Sequence, residues 1–317
     1  MDPGPRNRPP RRITGVAGLL AALRNLGLIG HAAAQDLRLQ QFTAEDGQVI
    51  PVRVLGRGAP VVLVHGLGCS HRQWMPVANR LRRRYRVFAW DARGHGGCRP
   101  RPGSVITLAR LASDLRQMLE HFDLQRPVLV GHSMGALTVM QYLRDHGSDR
   151  VAGIGLVDQS PRIVTDDGWR LGMFGGCSAD MLLGLIGAAR RDLAETVARE
   201  VEAAASGWLR RQLAADAALG RLLRQWLRKL DPSALLDLTE SLATADFRTL
   251  LPSVSVPMWV VMGGRSAHYA GVPLDQYYRR AVPHASVTVY PRSGHSPHVA
   301  EPGRFAQDLM RFLDDHA

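Results

Sequence analysis

Lysine is almost absent, cysteine is scarce, and aromatic side chains make up only 6% of the 317 residues. The single lysine, Lys229, leaves arginine to carry nearly all of the positive charge, and the net balance is +12. Five arginines (Arg6, Arg8, Arg11, Arg12 and Arg24) stand against Asp2 in the first 34 residues, and the remaining charge is scattered rather than striped. A scattered arginine excess is not the footprint of a nucleic-acid surface, so no nucleic-acid partner is expected. The three cysteines, Cys69, Cys98 and Cys177, are an odd number without metal-like spacing, which indicates neither a disulfide framework nor a zinc site. No run approaches the roughly 18 apolar residues of a membrane-spanning helix, so no stable membrane insertion is expected. What is present is a globular composition, 45% hydrophobic and 21% charged, sufficient to bury a full core.

Residues 1–34 read as an extension outside the fold. Twin arginines at Arg11 and Arg12, a weakly apolar run from Ile13 to Leu23 and the small residues Ala32 to Ala34 resemble an export signal, whereas Arg24 and Asn25 interrupt it. A cytoplasmic chain with a disordered leader and an exported chain are both compatible with this segment. From Leu37 onward, Leu37–Thr43 and Val49–Leu55 flank Asp46-Gly47, a hairpin signal because glycine accepts the positive φ of a tight turn. Six short apolar runs follow: Pro60–Val64, Tyr85–Trp90, Pro127–Gly131, Val151–Val157, Pro257–Met262 and Ala285–Tyr290. Near-continuous apolarity is expected of parallel strands buried on both faces, and helical periods such as Leu108, Leu111, Leu115 and Leu119 lie between them. The alternation predicts an α/β fold, a mostly parallel sheet with an N-terminal hairpin and helices on both faces.

The rhythm breaks between Ser160 and Ala245, where no strand pattern occurs. Trp208, Leu209, Leu213, Leu219, Leu222, Leu223, Trp226, Leu227 and Leu230 recur at helical spacing, predicting a helical insertion whose apolar stripe packs onto the body. The expected division is therefore 35–159 and 246–317 as core, with 160–245 inserted after the sixth strand.

The strongest chemical signal is Gly131-His132-Ser133-Met134-Gly135, placed between a strand and a helical run. This is a nucleophile elbow: the turn is too sharp for bulky neighbours, and it lifts the Ser133 hydroxyl above the carboxyl edge of the sheet. His65-Gly66-Leu67-Gly68 follows the third strand, where backbone N–H groups can stabilise an oxyanion, and the natural pair is Leu67 N–H with Met134 N–H. Ser293-Gly294-His295 follows the last strand, and His295 outranks His298, His284 and His268 as the general base by its glycine-led loop position.

With Asp91-Ala92-Arg93-Gly94-His95-Gly96, these motifs stand in the order of the α/β-hydrolase superfamily, and the chain resembles its esterase, lactonase and cofactor-free haloperoxidase group over about Leu37 to Leu313. The resemblance implies that the Asp91 turn is structural and that the insertion occupies the position of the family's cap. It also implies an acid just after the seventh strand, but that stretch reads Met262-Gly263-Gly264-Arg265-Ser266-Ala267-His268, without a carboxylate. Asp158, at the end of the sixth strand, is the best replacement, because some relatives place the acid there. Asp275, a carboxylate of the insertion such as Asp166 or Asp167, and an acid-free dyad stay open.

The resulting expectation is a serine hydrolase that cleaves an ester, lactone or thioester of a medium-sized apolar small molecule through an acyl-enzyme, with no metal or organic cofactor required. Trp169, Met173 and Phe174 of the insertion, joined by Trp74 from the first helix, are expected to line an apolar pocket. A cofactor-free non-hydrolytic enzyme, such as a perhydrolase or biosynthetic cyclase, and a non-catalytic ligand receptor are the competing readings. Oligomeric state is not encoded in any of these patterns.

Overall fold

The computed structural model describes residues 38–204, 211–228, 231–269 and 271–316. The leading segment with its twin arginines lies outside the described residues, as do Trp208, Leu209 and Leu230 of the expected stripe.

Among the described residues, eight strands form one sheet: β1 (Arg38–Thr43), β2 (Val49–Leu55), β3 (Pro60–Val64), β4 (Arg86–Trp90), β5 (Val128–His132), β6 (Gly153–Val157), β7 (Met258–Gly263) and β8 (Ser286–Tyr290). Their order is β1-β2-β4-β3-β5-β6-β7-β8. β1 and β2 form the expected antiparallel hairpin, β2 pairs antiparallel with β4, and every pairing from β4 through β8 is parallel. Gly47 at the hairpin turn has φ of 80°, the left-handed region that the Asp-Gly signal anticipates.

The continuous apolar runs are explained by what covers each face. Val62, Val64, Phe88, Trp90, Leu129, Ile154, Leu156 and Val260 point to one hydrophobic layer. Their neighbours Val61, Leu63, Val87, Ala89, Val128, Val130, Val157 and Val261 point to the other. Two-residue periodicity with both faces dry erases the polar alternation of a half-exposed sheet. Helices α1 (Met75–Leu81) and α10 (Pro302–His316) pack together on the second face. Helices α2 (Leu108–His121) and α3 (Met134–His146) pack together on the first.

Among the described residues, helices α4 (Ala179–Arg191), α5 (Leu193–Ala204), α6 (Ala218–Leu227) and α7 (Pro232–Ala243) lie between β6 and β7. α7 begins where Asp231 accepts the Ala234 N–H (3.2 Å) and Pro232 occupies the first turn, where a missing N–H costs nothing. It leans on α2, whose Leu108 N–H donates to Ser241 Oγ (2.9 Å). The stripe is narrower than its spacing predicts. Leu213, Leu223 and Leu227 are buried, but Leu222 faces solvent and Arg224 turns inward, held by Glu195 at 2.7 Å. Helices α8 (Leu274–Ala281) and α9 (Pro297–Ala300) complete the chain.

The chain leaves β3 toward one edge, through α1 on the second face, and returns to β5, whose helix α3 lies on the first. Loops after β3 and β5 therefore diverge to opposite faces, and the crevice they leave at the carboxyl ends is where such sheets bind ligands.

Candidate active site

Ser133 joins β5 to α3 with φ of 53° and ψ of −121°, a strained conformation for a residue with a side chain, costing roughly 1–3 kcal/mol. Packing enforces it. A Cβ at Gly131 would run into the Gly135 and Ala136 backbone, and one at Gly135 would meet the carbonyls of Val64 and His65. The Ser133 N–H is secured by Val157 O (3.1 Å), tying the elbow to the end of β6.

One residue beyond Val157, Asp158 is also left-handed, with φ of 49°, and its side chain is fully buried. Its carboxylate accepts the Gly263 N–H (2.7 Å), the Ser266 hydroxyl (2.5 Å) and His295 Nδ1–H (2.6 Å). Asp158 thus faces His295 rather than capping a helix. Ser266 stands in the loop after β7, where the resemblance led to the expectation of an acid, and its hydroxyl donates to the Asp158 carboxylate one strand away. With Nδ1–H given to Asp158, His295 keeps its Nε2 lone pair, as a general base requires. Ser133 and His295 make no direct hydrogen bond among the described residues. His295 does lie beside the elbow, its ring centroid 4.6 Å from that of His132, and catalytic hydrogen bonds often close only around substrate.

Neither the Leu67 N–H nor the Met134 N–H has an acceptor among the described residues. Met134 opens α3, so its amide has no partner within the helix and sits at the positive end of the dipole. The Leu67 loop approaches the nucleophile closely: a Cβ at Gly66 would lie 3.3 Å from Ser133 Cβ and 2.8 Å from His132 Nδ1. His65 anchors the loop from below. Its Nδ1–H donates to Gly66 O (2.9 Å) and its Nε2 accepts the Ala92 N–H (3.0 Å), while burial pushes its pKa below the usual histidine value. The Asp91 motif is structural, as anticipated. Asp91 accepts from the His71 backbone N–H and ring at 2.7 and 2.8 Å, and Arg93 is buried between Asp114 and Asp46.

Two expectations are corrected. Trp74 does not line a pocket: it is wholly buried in the second hydrophobic layer and stacked on His298, with centroids 4.1 Å apart. Trp169 is also buried; its Nε1–H donates to Arg162 O (2.9 Å) and its ring packs edge-on against Tyr277. Met173 is partly buried against the first hydrophobic layer, to which Trp169 belongs. Phe174 is the residue of this set connected to the site. It is 49% exposed, has φ of 59°, and stacks on His268 (5.5 Å), which lies 4.0 Å from the His295 ring. Burial together with neighbouring His295 pushes the His268 pKa down to about 3, so it stands there uncharged. The other acid candidates are engaged elsewhere or distant in the fold: Asp166 pairs with Arg162, Asp167 with Arg170, and Asp275 lies in the first turn of α8. Ser266 and Gln73 carried no motif that marked them. Among the described residues no three His, Cys, Asp or Glu side chains form a metal-binding group.

A family model described as the alpha/beta hydrolase family matches residues 61–308, most of the chain and all of these motifs. The chain belongs to the alpha/beta hydrolase family. Among its relatives, the pimeloyl-[acyl-carrier protein] methyl ester esterase of Vibrio vulnificus (strain YJ016) is 28% identical over 267 residues, covering 81% of this chain and 95% of the relative. The protein of the same description from Chromobacterium violaceum is 28% identical over 273 residues, covering 84% and 96%. Among solved structures, a thermophilic esterase from Thermogutta terrifontis superposes with a TM-score of 0.70 at 25% identity, covering 88% of this chain and 98% of that one. A bromoperoxidase from Bacillus anthracis, at 0.73 and 23% identity with 87% and 100% covered, shares the fold. In this alpha/beta hydrolase no described helix is long and apolar enough to cross a membrane.

Proposed function

We propose that this alpha/beta hydrolase is a carboxylic ester hydrolase that cleaves medium-sized apolar esters through an acyl-enzyme on Ser133. The observation that carries the reading is the buried Asp158 carboxylate 2.6 Å from His295 Nδ1, one strand from the strained Ser133 elbow. In the proposed cycle Ser133 Oγ attacks the ester carbonyl as His295 Nε2 takes its proton. The Leu67 and Met134 amides hold the oxyanion, and two such donors are worth roughly 3–4 kcal/mol each. His295 then returns the proton to the departing alcohol, and water repeats the sequence to release the acid. Residues 160–245 act as the cap, with Phe174 and His268 forming the wall beside His295. The esterase relatives support ester chemistry, and those acting on a methyl ester of a carrier-bound acyl chain favour an extended acyl group.

The test is turnover of p-nitrophenyl and methyl esters of graded acyl length, beside lactones and acyl thioesters. Wild-type protein is expected to hydrolyse esters and to be labelled by a fluorophosphonate, and Ser133→Ala to lose both, with kcat falling on the order of 10⁵- to 10⁶-fold. Labelling that survives in Ser133→Ala, or a wild type that binds esters without consuming them, overturns the reading.

A further inference from the structure

Gln73 lies in the 3-10 turn His71–Trp74 between the Gly66 loop and α1, is 4% exposed, and belongs to no motif. Its side-chain amide nevertheless touches three separate pieces of the catalytic edge. Gly66 N–H approaches Gln73 Oε1 at 2.9 Å, while Gln73 Nε2 lies 3.0 Å from His132 Nδ1 and 2.6 Å from His298 Nε2. His132 Nε2 in turn lies 2.8 Å from the backbone oxygen of His295.

The chemistry of these atoms fixes every proton. A backbone N–H can only donate, so the atom facing Gly66 must be the amide oxygen and the NH₂ must face the two imidazoles. Both rings must then offer lone pairs: His132 at Nδ1, leaving its proton on Nε2 for the His295 carbonyl, and His298 at Nε2, leaving its proton on Nδ1. His298 Nδ1 has no partner among the described residues, and both rings are buried and pushed by burial to low pKa, His298 to about 3, which keeps them neutral as the arrangement needs.

We propose that Gln73 is a positioning residue that locks the oxyanion loop to the His295 loop, so that one amide sets the distance between the Leu67 donor and the general base. One end holds Gly66, next to Leu67; the other, through His132, holds the His295 backbone. The transition state needs both loops in register while the ground state needs neither, so loosening the link lowers kcat far more than it raises KM. The inference rests on the assignment of Ser133 and His295, which fluorophosphonate labelling of wild type and Ser133→Ala tests separately.

The experiment compares wild type, Gln73→Met and Gln73→Glu for kcat, KM, fluorophosphonate inactivation rate and Tm. Met removes both ends of the link at similar volume. Glu keeps an acceptor for Gly66 and removes the donors, so it isolates the histidine side and serves if Met fails to fold. The expected result is a 10- to 100-fold loss of kcat in each folded variant, with KM within about threefold and inactivation slowed in parallel, a size typical of misplaced catalytic groups. A His132→Gln variant combined with Gln73→Glu should lose little more than either alone, because the two act in series. Wild-type kcat in folded Gln73→Glu, or a loss that follows Tm alone with normal inactivation of the folded fraction, overturns the proposal while leaving the hydrolase reading intact.

Discussion

At the carboxyl edge of the sheet, Asp158, Ser266, His65 and His132 are buried and hydrogen-bonded to named partners on other elements. The insertion between β6 and β7 is built differently. It sets the ion pairs Arg190–Glu240 and Arg199–Glu195 at its surface, and leaves Leu183 and Leu222 61% and 59% exposed. Buried polar groups without partners are costly, so an edge rich in them admits essentially one arrangement, and atomic positions there are held to fractions of an ångström. Surface ion pairs contribute on the order of 0–1 kcal/mol and constrain little. Under the proposed function, the contrast corresponds to chemistry at the edge and choice of substrate at the insertion.

The sharpest way to break this contrast is Asp158→Asn. Asparagine tolerates the left-handed backbone at this position, so the fold should persist while His295 loses its orienting acceptor. A loss of kcat/KM on the order of 10³- to 10⁴-fold is expected by analogy with the same change in serine proteases. A loss below about tenfold would move the acid elsewhere and make the edge less committed than its hydrogen bonds imply.

Acid should distinguish the two regions next. Burial lowers the pKa of His65, His132, His95, His268 and His298 below the ordinary histidine value of about 6.5, the last three to about 3. Below pH 6.5 the unfolded chain takes up protons that the native edge refuses, so stability falls as the pH drops from 6.5 toward 3 and is fully present above that window. Each such histidine contributes a slope of up to about 1.4 kcal/mol per pH unit. Asp91 adds to the same trend at the acid end: burial raises its pKa, but the His71 hydrogen bond and charge outweigh this and bring it net to about 2. Thermal melts from pH 7.5 to 4.5 should show a steep fall in Tm, and a flat profile would mean the edge is more hydrated than its burial indicates.

The smallest expected effect is in the insertion. Phe174→Ala removes an exposed ring from a strained position, so stability should change by no more than about 0.5 kcal/mol. The ratio of kcat/KM between long-chain and short-chain esters should shift by about 10-fold, the scale of a few lost apolar contacts. An unchanged ratio would detach Phe174 from substrate selection, and a collapse in activity on every ester would place it with the edge instead.

The legibility of the sequence follows the same division. Strand ends were readable to within one or two residues because runs such as Val61–Val64 have both faces covered and no polar alternation to confuse them. The elbow was readable because Gly131 is dictated by a backbone collision with Gly135 and Ala136 within five residues of chain, although the carbonyls of Val64 and His65 that dictate Gly135 come from the distant end of β3. Ser266 was not readable: a serine has many uses, and only the placement of β6 beside β7 gives it Asp158 as partner. Trp74 and Trp169 were expected at the pocket because large aromatics close to a site suggest lining, but sequence does not say toward which layer a ring turns.

The sequence by itself determined the local matters: which stretches become strands, where the chain must bend too sharply for a side chain, and that Ser133 and His295 sit at turns following strands. Those are settled by backbone sterics and short-range periodicity, which act within a few residues. Only the tertiary structure decided that Asp158, not a carboxylate after β7, meets His295 Nδ1, and that Gln73 joins loops 225 residues apart at His298. Hydrogen bonds between distant segments exist only once the sheet has set their strand ends side by side, and no local pattern records them.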